Sequence, residues 1–196
     1  MKTLIVGSSE CHPDLLKKYL VWADRSIACD GGYDHFVAIA STPDVVLGDQ
    51  DSIQADINPD QCYPKEKNFT DLEAAIQLAE TDSEDIIILG ATGGRQDHFL
   101  NAVMQLFRFN VPIRIIDSQN EIYVKKTSFH FERTDFPYFS LIPLDRLQLT
   151  IQGAKYPLDQ VWVDPYTSLT ISNEPRGRVE VGFDGGRLIV ILSRDK

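Results

Sequence analysis

The period of the apolar residues changes once along the chain, at about Asn120. Before this point, short and almost wholly apolar runs end in glycine or aspartate, a pattern typical of parallel strands that are buried on both faces. The runs cover residues 3–7, 26–30, 45–49, 86–90 and 113–117. Between several of them, apolar residues recur at spacings of three and four, which predicts helices beginning near Pro13, Thr70 and Asp97. We therefore predict an α/β N-terminal domain with a mostly parallel sheet.

Beyond Asn120 the helical period gives way to short runs in which apolar and polar residues alternate. The runs cover residues 122–126, 129–132, 139–142, 147–151, 161–163, 169–172, 178–183 and 187–192. Pro, Gly and Asp separate them, as turns separate antiparallel strands. We predict an all-β C-terminal domain over residues 121–196, either sandwich-like or a partly closed barrel, after an α/β domain over residues 1–120. A β domain this small is marginal alone, so we expect it to pack against the first domain or a second chain.

Composition places the chain among folded globular proteins, since 43% of its 196 residues are hydrophobic and 24% are charged. Disordered chains instead combine low hydrophobicity with high charge. The net charge of −10 and the lack of a basic run argue against a nucleic acid or an anionic membrane as partner. A small cationic or metal-complexed ligand suits this charge better.

The three cysteines, Cys11, Cys29 and Cys62, are odd in number, and none has the spacing of a zinc site. We interpret them as reduced thiols. The N-terminal apolar run is too short for a secretory signal, and no apolar stretch approaches the ~20 residues of a membrane span. We therefore expect a cytoplasmic protein.

Carboxylates follow the ends of two predicted strands. Asp30 comes at the end of the second apolar run, and Asp49 and Asp51 come at the end of the third. Ligands of an open α/β sheet bind beyond the carboxyl ends of its strands, so we expect these acids to point into one crevice. Grouped carboxylates suit Mg²⁺, which combines them with phosphate oxygens of a substrate. The alternative is that each aspartate merely favours a turn or a helix cap.

A fourth acid, Asp71, lies at the start of a predicted helix. Thr70 and Glu73 have the spacing of a capping box, which places Asp71 at the first helical position. Asp71 either joins the other acids or only complements the helix dipole. The spacing leaves both interpretations open.

A glycine-rich segment, GATGGRQDHF at residues 90–99, lies between a predicted strand and a predicted helix. Gly93 and Gly94 permit positive φ angles and a close backbone approach, and the following helix N-terminus offers amides to an anion. Arg95 adds a planar, forked cation that suits phosphate. His98 is either a ligand contact or a surface or capping residue. The segment matches neither the Walker A motif nor the dinucleotide fingerprint.

Several short motifs together resemble those of the thiamine pyrophosphokinase family, in that family's order and over nearly the whole chain. They are DGG at 30–32, GDQDS at 48–52, KxxTDxE at 67–73, GGRQDH at 93–98 with Asn101, SLIPL at 140–144, GAKYPL at 153–158 and SNE at 172–174. The resemblance implies an α/β nucleotide-binding domain, a following β-sandwich domain, and transfer of pyrophosphate from ATP to thiamine. It also implies a homodimer whose active sites lie between the first domain of one subunit and the β domain of the other.

The resemblance implies roles for single residues as well. The acids implied to organise Mg²⁺ and the ATP phosphates, and so to be catalytic, are Asp49, Asp51 and Asp71. The residues implied to bind ATP are Asp30, Gly31, Lys67, Thr70, Gly93, Gly94, Arg95, Asp97 and His98. Those implied to bind thiamine are Ser172 and Asn173. Whether Asp71 acts as a base or as a metal ligand stays open.

The chain departs from the family pattern at two points. Asn68 stands where the family often has an acid, and the last predicted strand lacks the tryptophan that stacks on thiamine in animal members. The stacking partner is therefore unassigned, and we expect Trp162 to be an ordinary half-buried strand residue. Two other functions stay open, a Mg²⁺-dependent nucleotide hydrolase and a non-catalytic nucleotide or thiamine sensor.

Overall fold

The computed structural model describes residues 1–48, 61–62, 68–132 and 135–195. The chain divides into two compact units, Met1–Ser118 and Gln119–Lys196. None of the helices in the described ranges is long and apolar enough to cross a membrane.

The first unit is built on a parallel sheet. Its strands are β1 (Lys2–Val6), β2 (Arg25–Cys29), β3 (Val45–Gly48), β4 (Gln61–Cys62), β5 (Asp85–Leu89) and β6 (Ile113–Ile116). Their spatial order is β4-β3-β2-β1-β5-β6, and each of these neighbouring pairs is parallel. The prediction of an α/β domain with a mostly parallel sheet is confirmed. The two-residue strand β4 has no counterpart among the predicted runs.

Helices accompany the sheet. In the described part of the unit they are α1 (Pro13–Trp22), α2 (Gly32–Ala38), α3 (Asp71–Glu80) and α4 (Gln96–Gln105). The starts of α1, α3 and α4 agree with the predicted starts to within one residue. The prediction lacks α2, which is seven residues long and buries only Gly32 and Phe36, so it has no repeated apolar spacing.

The central strands of the sheet, β1 and β5, are largely buried. Three apolar residues of β1 and four of β5 have no exposed surface: Leu4, Ile5, Val6, Ile86, Ile87, Ile88 and Leu89. Leu16 of α1 and Phe36 of α2 join one buried cluster with this sheet, while α3 packs against β1, β2 and β3 and buries Ile76. Burial on both faces explains why these strands are continuous apolar runs. The result is a rigid frame for the loops at its carboxyl edge.

The loops after β1 and β5 leave the sheet side by side, because β2 lies on one side of β1 and β5 on the other. The amide of Gly7 donates to the Leu89 carbonyl over 2.8 Å, and the amide of Ser9 donates to the Gly90 carbonyl over 2.9 Å. Gly90 has a φ of 65°, and a Cβ there would lie 2.3 Å from the Gly7 carbonyl oxygen. Only glycine fits this contact.

The second unit contains antiparallel strands. They are β7 (Asn120–Lys125), β8 (Phe129–Phe131), β9 (Tyr138–Pro143), β10 (Leu147–Ala154), β11 (Leu158–Val163), β12 (Pro175–Phe183) and β13 (Leu188–Ser193). One set has the order β7-β13-β9 and the other β11-β10-β12-β8. Side chains of both sets, among them Leu149, Val181 and Val190, form one buried cluster. The prediction of an all-β, sandwich-like domain is confirmed.

Residues 169–172 are predicted as a strand, and this prediction is wrong, because they form turns. Thr170 is buried, and its hydroxyl donates to the Leu141 carbonyl over 2.5 Å. The apolar residues of the segment, Leu169 and Ile171, are exposed. The alternating pattern therefore comes from one buried threonine between exposed apolar residues. Hydrogen bonds from a threonine side chain to the backbone compete with strand pairing.

Trp162 on β11 is 60% exposed, so the expectation of a half-buried residue is wrong. The guanidinium of Arg146 lies 5.1 Å from the centre of the tryptophan ring. A cation at this distance from the face of an exposed indole is stabilising, and it covers part of the apolar surface.

We expect Gly90→Ala to destabilise the first unit by about 3–5 kcal/mol, because the added methyl group meets the Gly7 backbone and the left-handed backbone adds strain. Gly93→Ala is the matched control, since Gly93 has a φ of 75° but a Cβ there would meet no atom within 4 Å. This control should lose only about 1–2 kcal/mol. Equilibrium unfolding in urea measures both free energies, and equal losses would contradict the contact argument.

Candidate active site

The carboxylate of Asp30 lies against the end of the neighbouring strand. Asp30 follows β2, and its amide donates to the Leu47 carbonyl over 2.8 Å. A Cβ on Gly48, the last residue of β3, would lie 2.1 Å from Asp30 Oδ1. Gly48 therefore allows this carboxylate to reach the carboxyl end of β3, immediately before Asp49 in the sequence.

Helix α3 brings a second acid to the same edge. Thr70 caps the helix by accepting a hydrogen bond from the Glu73 amide over 3.1 Å, and Asp71 is the first helical residue, as predicted. The Glu73 carboxylate contacts the Arg108 guanidinium. The carbonyl of Asp71 lies 3.8 Å from the thiol sulfur of Cys29, the last residue of β2. The start of α3 is thus fixed at the carboxyl end of β2.

The Cys29 thiol reports the electrostatic environment of this edge. Cys29 is buried, and its burial raises the pKa of the thiol. The negative charges of Asp30 and Asp71 raise that pKa further. Cys29 is therefore an uncharged, unreactive thiol that lies close to two negative charges. Cys11 and Cys29 are both free thiols.

The structure thus brings together Asp30 and Asp71 of the predicted acids. Asp49, Asp51 and Lys67 lie outside the described residues. Among the residues that are described, no group of three or more His, Cys, Asp or Glu side chains forms a metal site. Two carboxylates at one edge are hard oxygen donors and fit Mg²⁺, provided that further oxygen ligands complete its shell.

The glycine segment after β5 forms an exposed loop that ends at α4. Gly93 and Gly94 have φ angles of 75° and 60°, which glycine adopts without strain. Arg95 is the N-cap residue of α4, but its side chain makes no capping hydrogen bond. The amide of His98 donates to Asp97 Oδ1 over 3.0 Å. The loop therefore leads into a helix N-terminus, an element that can bind anions, but its His98 amide is already bonded to Asp97.

Arg95 and Asp97 form a bidentate ion pair. The Nε and Nη2 atoms of Arg95 lie 3.1 and 2.5 Å from the two carboxylate oxygens of Asp97. The hydrogen bond from Arg95 is the main factor that lowers the pKa of Asp97 to about 2, so Asp97 is charged at neutral pH. Both side chains are exposed. A phosphate could bind Arg95 only through the remaining N–H donors of the guanidinium or by displacing Asp97.

In the second unit, Asn173 is a hydrogen-bonded structural residue. Only 3% of it is exposed. Its Oδ1 accepts from the amides of Tyr156 and Glu174 over 3.0 and 2.9 Å, and its Nδ2 donates to the Tyr156 carbonyl over 2.8 Å. The amide group thus uses both of its polar atoms within the second unit. The adjacent Ser172 is exposed, with a φ of 55°, and its own amide donates to Ser140 Oγ over 2.9 Å.

Asn173 also fixes an aromatic residue that sequence reasoning left without a role. Tyr156 of the GAKYPL motif is held through its backbone, and more than half of the residue is exposed. Lys155 lies 5.3 Å from the centre of its ring and pairs with Glu174 over 2.6 Å. The link joins residues 17 apart in sequence, so no local pattern predicts it. The loop after β1 was also not predicted as part of the site. It lies where the strand order reverses, and this position is a known indicator of ligand binding in open sheets.

Two family descriptions match the chain. "Thiamin pyrophosphokinase, catalytic domain" matches residues 16–116, and "Thiamin pyrophosphokinase, vitamin B1 binding domain" matches residues 126–188. The chain belongs to the thiamin pyrophosphokinase family. The family predicted from the ordered motifs is therefore confirmed.

Individual members of this family are similar to this chain in sequence and in structure. The thiamine pyrophosphokinase of Bacillus subtilis is 39% identical over 142 residues, which make up 68% of this chain and 66% of that protein. The crystal structure of thiamine pyrophosphokinase from Bacillus subtilis matches with a TM-score of 0.88 at 30% identity, over 100% of both chains. The structure from Geobacillus thermodenitrificans matches with a TM-score of 0.87 at 30% identity, over 100% of this chain and 99% of that one.

We expect Asn173→Ala to destabilise the second unit by about 2–4 kcal/mol, because it leaves backbone groups of Tyr156 and Glu174 without partners. Ser172→Ala is the matched control, since it alters the neighbouring exposed side chain and should change stability by less than about 0.5 kcal/mol. Urea unfolding of the ligand-free protein measures both. A loss for Asn173→Ala as small as that of the control would contradict the structural role of its amide.

Proposed function

We propose that the protein transfers the pyrophosphate group of ATP to the hydroxyl of thiamine and releases AMP. The thiamine oxygen attacks the β-phosphorus, the bond from that phosphorus to the bridging oxygen of the α-phosphate breaks, and the hydroxyl proton passes to a base. The observation that supports this proposal is one chain that carries both a catalytic domain and a vitamin B1 binding domain of the family. A nucleotide hydrolase would need no acceptor domain.

The acidic edge is the proposed site of a magnesium ion. Asp30 and Asp71 would face it, and Asp49 and Asp51, which follow β3 in the sequence, would complete the carboxylate set. A bound Mg²⁺ would neutralise charge on the phosphates of ATP. Asp71 would act on the thiamine hydroxyl as a base or hold the metal, since its position at the first turn of α3 suits either role.

The nucleotide phosphates would lie along the glycine loop. Gly93 and Gly94 would admit them close to the backbone, and the amides at the start of α4 would donate to their oxygens. Arg95 would add a forked cation whose orientation depends on Asp97, and His98 lies one residue further along the helix. Gly31, Lys67 and Thr70 belong to the same proposed nucleotide site.

Thiamine would bind at the exposed surface beside Asn173. Ser172 would offer its hydroxyl, and Tyr156 would offer an aromatic face to the positively charged thiazolium ring. Asn173 would hold Tyr156 in place and use its remaining N–H on the ligand. This assignment supplies the stacking partner that the last strand lacks.

We further propose a cytoplasmic homodimer with active sites shared between subunits, as the family resemblance implies. Exposed apolar residues near Ser172 support an interface on the second unit, because Tyr166 is 94% exposed and Leu169 and Ile171 are exposed as well. Exposed apolar patches are typical of association sites.

The decisive experiment supplies purified protein with ATP and Mg²⁺, with and without thiamine, and quantifies thiamine diphosphate and AMP. We expect AMP to form only with thiamine and in equal amount to thiamine diphosphate. Asp71→Asn should lower turnover by at least about a hundredfold, because it removes a charge at the reacting groups. Asp14→Asn is the matched control, since Asp14 is also a first-turn acid but belongs to α1.

Equal losses in Asp71→Asn and Asp14→Asn would mean that Asp71 only complements its helix dipole. ATP breakdown that ignores thiamine would identify a hydrolase, and ligand binding without turnover would identify a sensor. Sedimentation of the same active preparation as a monomer would reject the shared site.

A further inference from the structure

His35, a residue that no motif singled out, contacts the loop after β1. Its ring lies on α2 with Nε2 2.8 Å from the carbonyl oxygen of Ser9. A carbonyl oxygen only accepts hydrogen bonds, so Nε2 must carry the proton. The contact is partly buried and therefore sheltered from water.

Ser9 in turn is bonded to the first residue of the glycine loop, Gly90, and lies near Gly94. Its amide donates to the Gly90 carbonyl over 2.9 Å, and its carbonyl oxygen lies 3.2 Å from the position that a Cβ on Gly90 would occupy. Its hydroxyl oxygen lies 3.6 Å from the corresponding Cβ position of Gly94. A displacement of Ser9 therefore acts directly on the backbone of Gly90, where the loop begins.

The helix that carries His35 is anchored independently of this hydrogen bond. Phe36, the next residue, is fully buried in the core of the first unit. A Cβ on Gly32 would lie 2.1 Å from the Val6 carbonyl oxygen, so the helix start packs directly on the end of β1. Loss of the His35 hydrogen bond would thus loosen Ser9 on its carbonyl side, while its amide bond to Gly90 and the place of α2 remain.

We propose that His35 is a positioning residue for nucleotide binding, which acts by holding Ser9 and, through it, the glycine loop in the shape that receives phosphate. The inference rests on the proposed function, since it takes this loop as the ATP site. Its chemistry requires only a side-chain N–H donor at the position of Nε2. A glutamine side chain offers such a donor at a similar reach, whereas a phenylalanine keeps the ring and loses the donor.

The test compares His35→Phe and His35→Gln with the wild type. Amide hydrogen exchange of the ligand-free protein is read over residues 7–12 and 89–95. Calorimetry measures the Kd for α,β-methylene-ATP with Mg²⁺, a probe that cannot be cleaved at the reacting bond, and the Kd for thiamine. The control is His130→Phe, because His130 is an exposed histidine on β8 of the second unit.

In His35→Phe, we expect exchange at the Ser9 amide to rise and the Kd for the nucleotide probe to increase about fivefold or more, the effect of losing one hydrogen bond. The Kd for thiamine should change less than twofold, and His35→Gln should restore both readouts. His130→Phe should resemble the wild type.

Unchanged exchange in His35→Phe would overturn the proposal, and so would faster exchange with an unchanged nucleotide Kd. Failure of His35→Gln to restore either readout would mean that the imidazole ring matters for packing alone. A wild type that forms no AMP from ATP and thiamine would refute the proposed function, while the exchange and probe-binding results would still decide the role of His35.

Discussion

Repulsion between negative charges at the carboxyl edge of the parallel sheet is the constraint on which the account of this protein depends. Asp30 and Asp71 converge near the buried Cys29 thiol, and their charges add to burial in raising its pKa. A polyphosphate brought to this edge alone would be repelled, whereas a divalent cation between carboxylates and phosphates reverses the interaction. On the proposed function, a chain with a net charge of −10 would in this way bind an anionic substrate and also suit a cationic one.

Contacts between loops and buried elements fix the backbone around the proposed binding groups. Strands β1 and β5 are buried except at their first residues, and the loops that follow them are joined by backbone hydrogen bonds at Gly7 and Ser9. Gly90 allows this close approach, and His35 adds a side-chain link from α2. In the second unit, the Asn173 amide does the same for Tyr156. In both units a buried or half-buried polar side chain fixes the backbone from which exposed groups would meet a ligand.

Much of the fold was predictable because burial leaves a clear sequence pattern. Strands buried on both faces read as continuous apolar runs, and the rule for open sheets predicted Asp30, Asp49 and Asp51 at one edge. Asp30 is the member of this set that the structure describes, while the sequence left the place of Asp71 open. Short α2 has too few buried residues to produce a helical period. Residues 169–172 imitate a strand because a buried threonine alternates with exposed apolar residues. The contacts of His35 with Ser9 and of Asn173 with Tyr156 join distant residues, and no local pattern carries them.

The claim that a cation links acidic protein and acidic nucleotide is tested most directly by binding of α,β-methylene-ATP with Mg²⁺ and with a chelator. The account predicts that the wild type binds the analogue at least about tenfold more tightly with Mg²⁺, since charge repulsion dominates without it. It also predicts that Asp71→Asn lowers the ratio of the affinity with Mg²⁺ to the affinity with the chelator. The substitution should weaken binding with Mg²⁺ and strengthen binding with the chelator. Equal affinity of the wild type in both conditions, or a ratio that Asp71→Asn leaves unchanged, would contradict it.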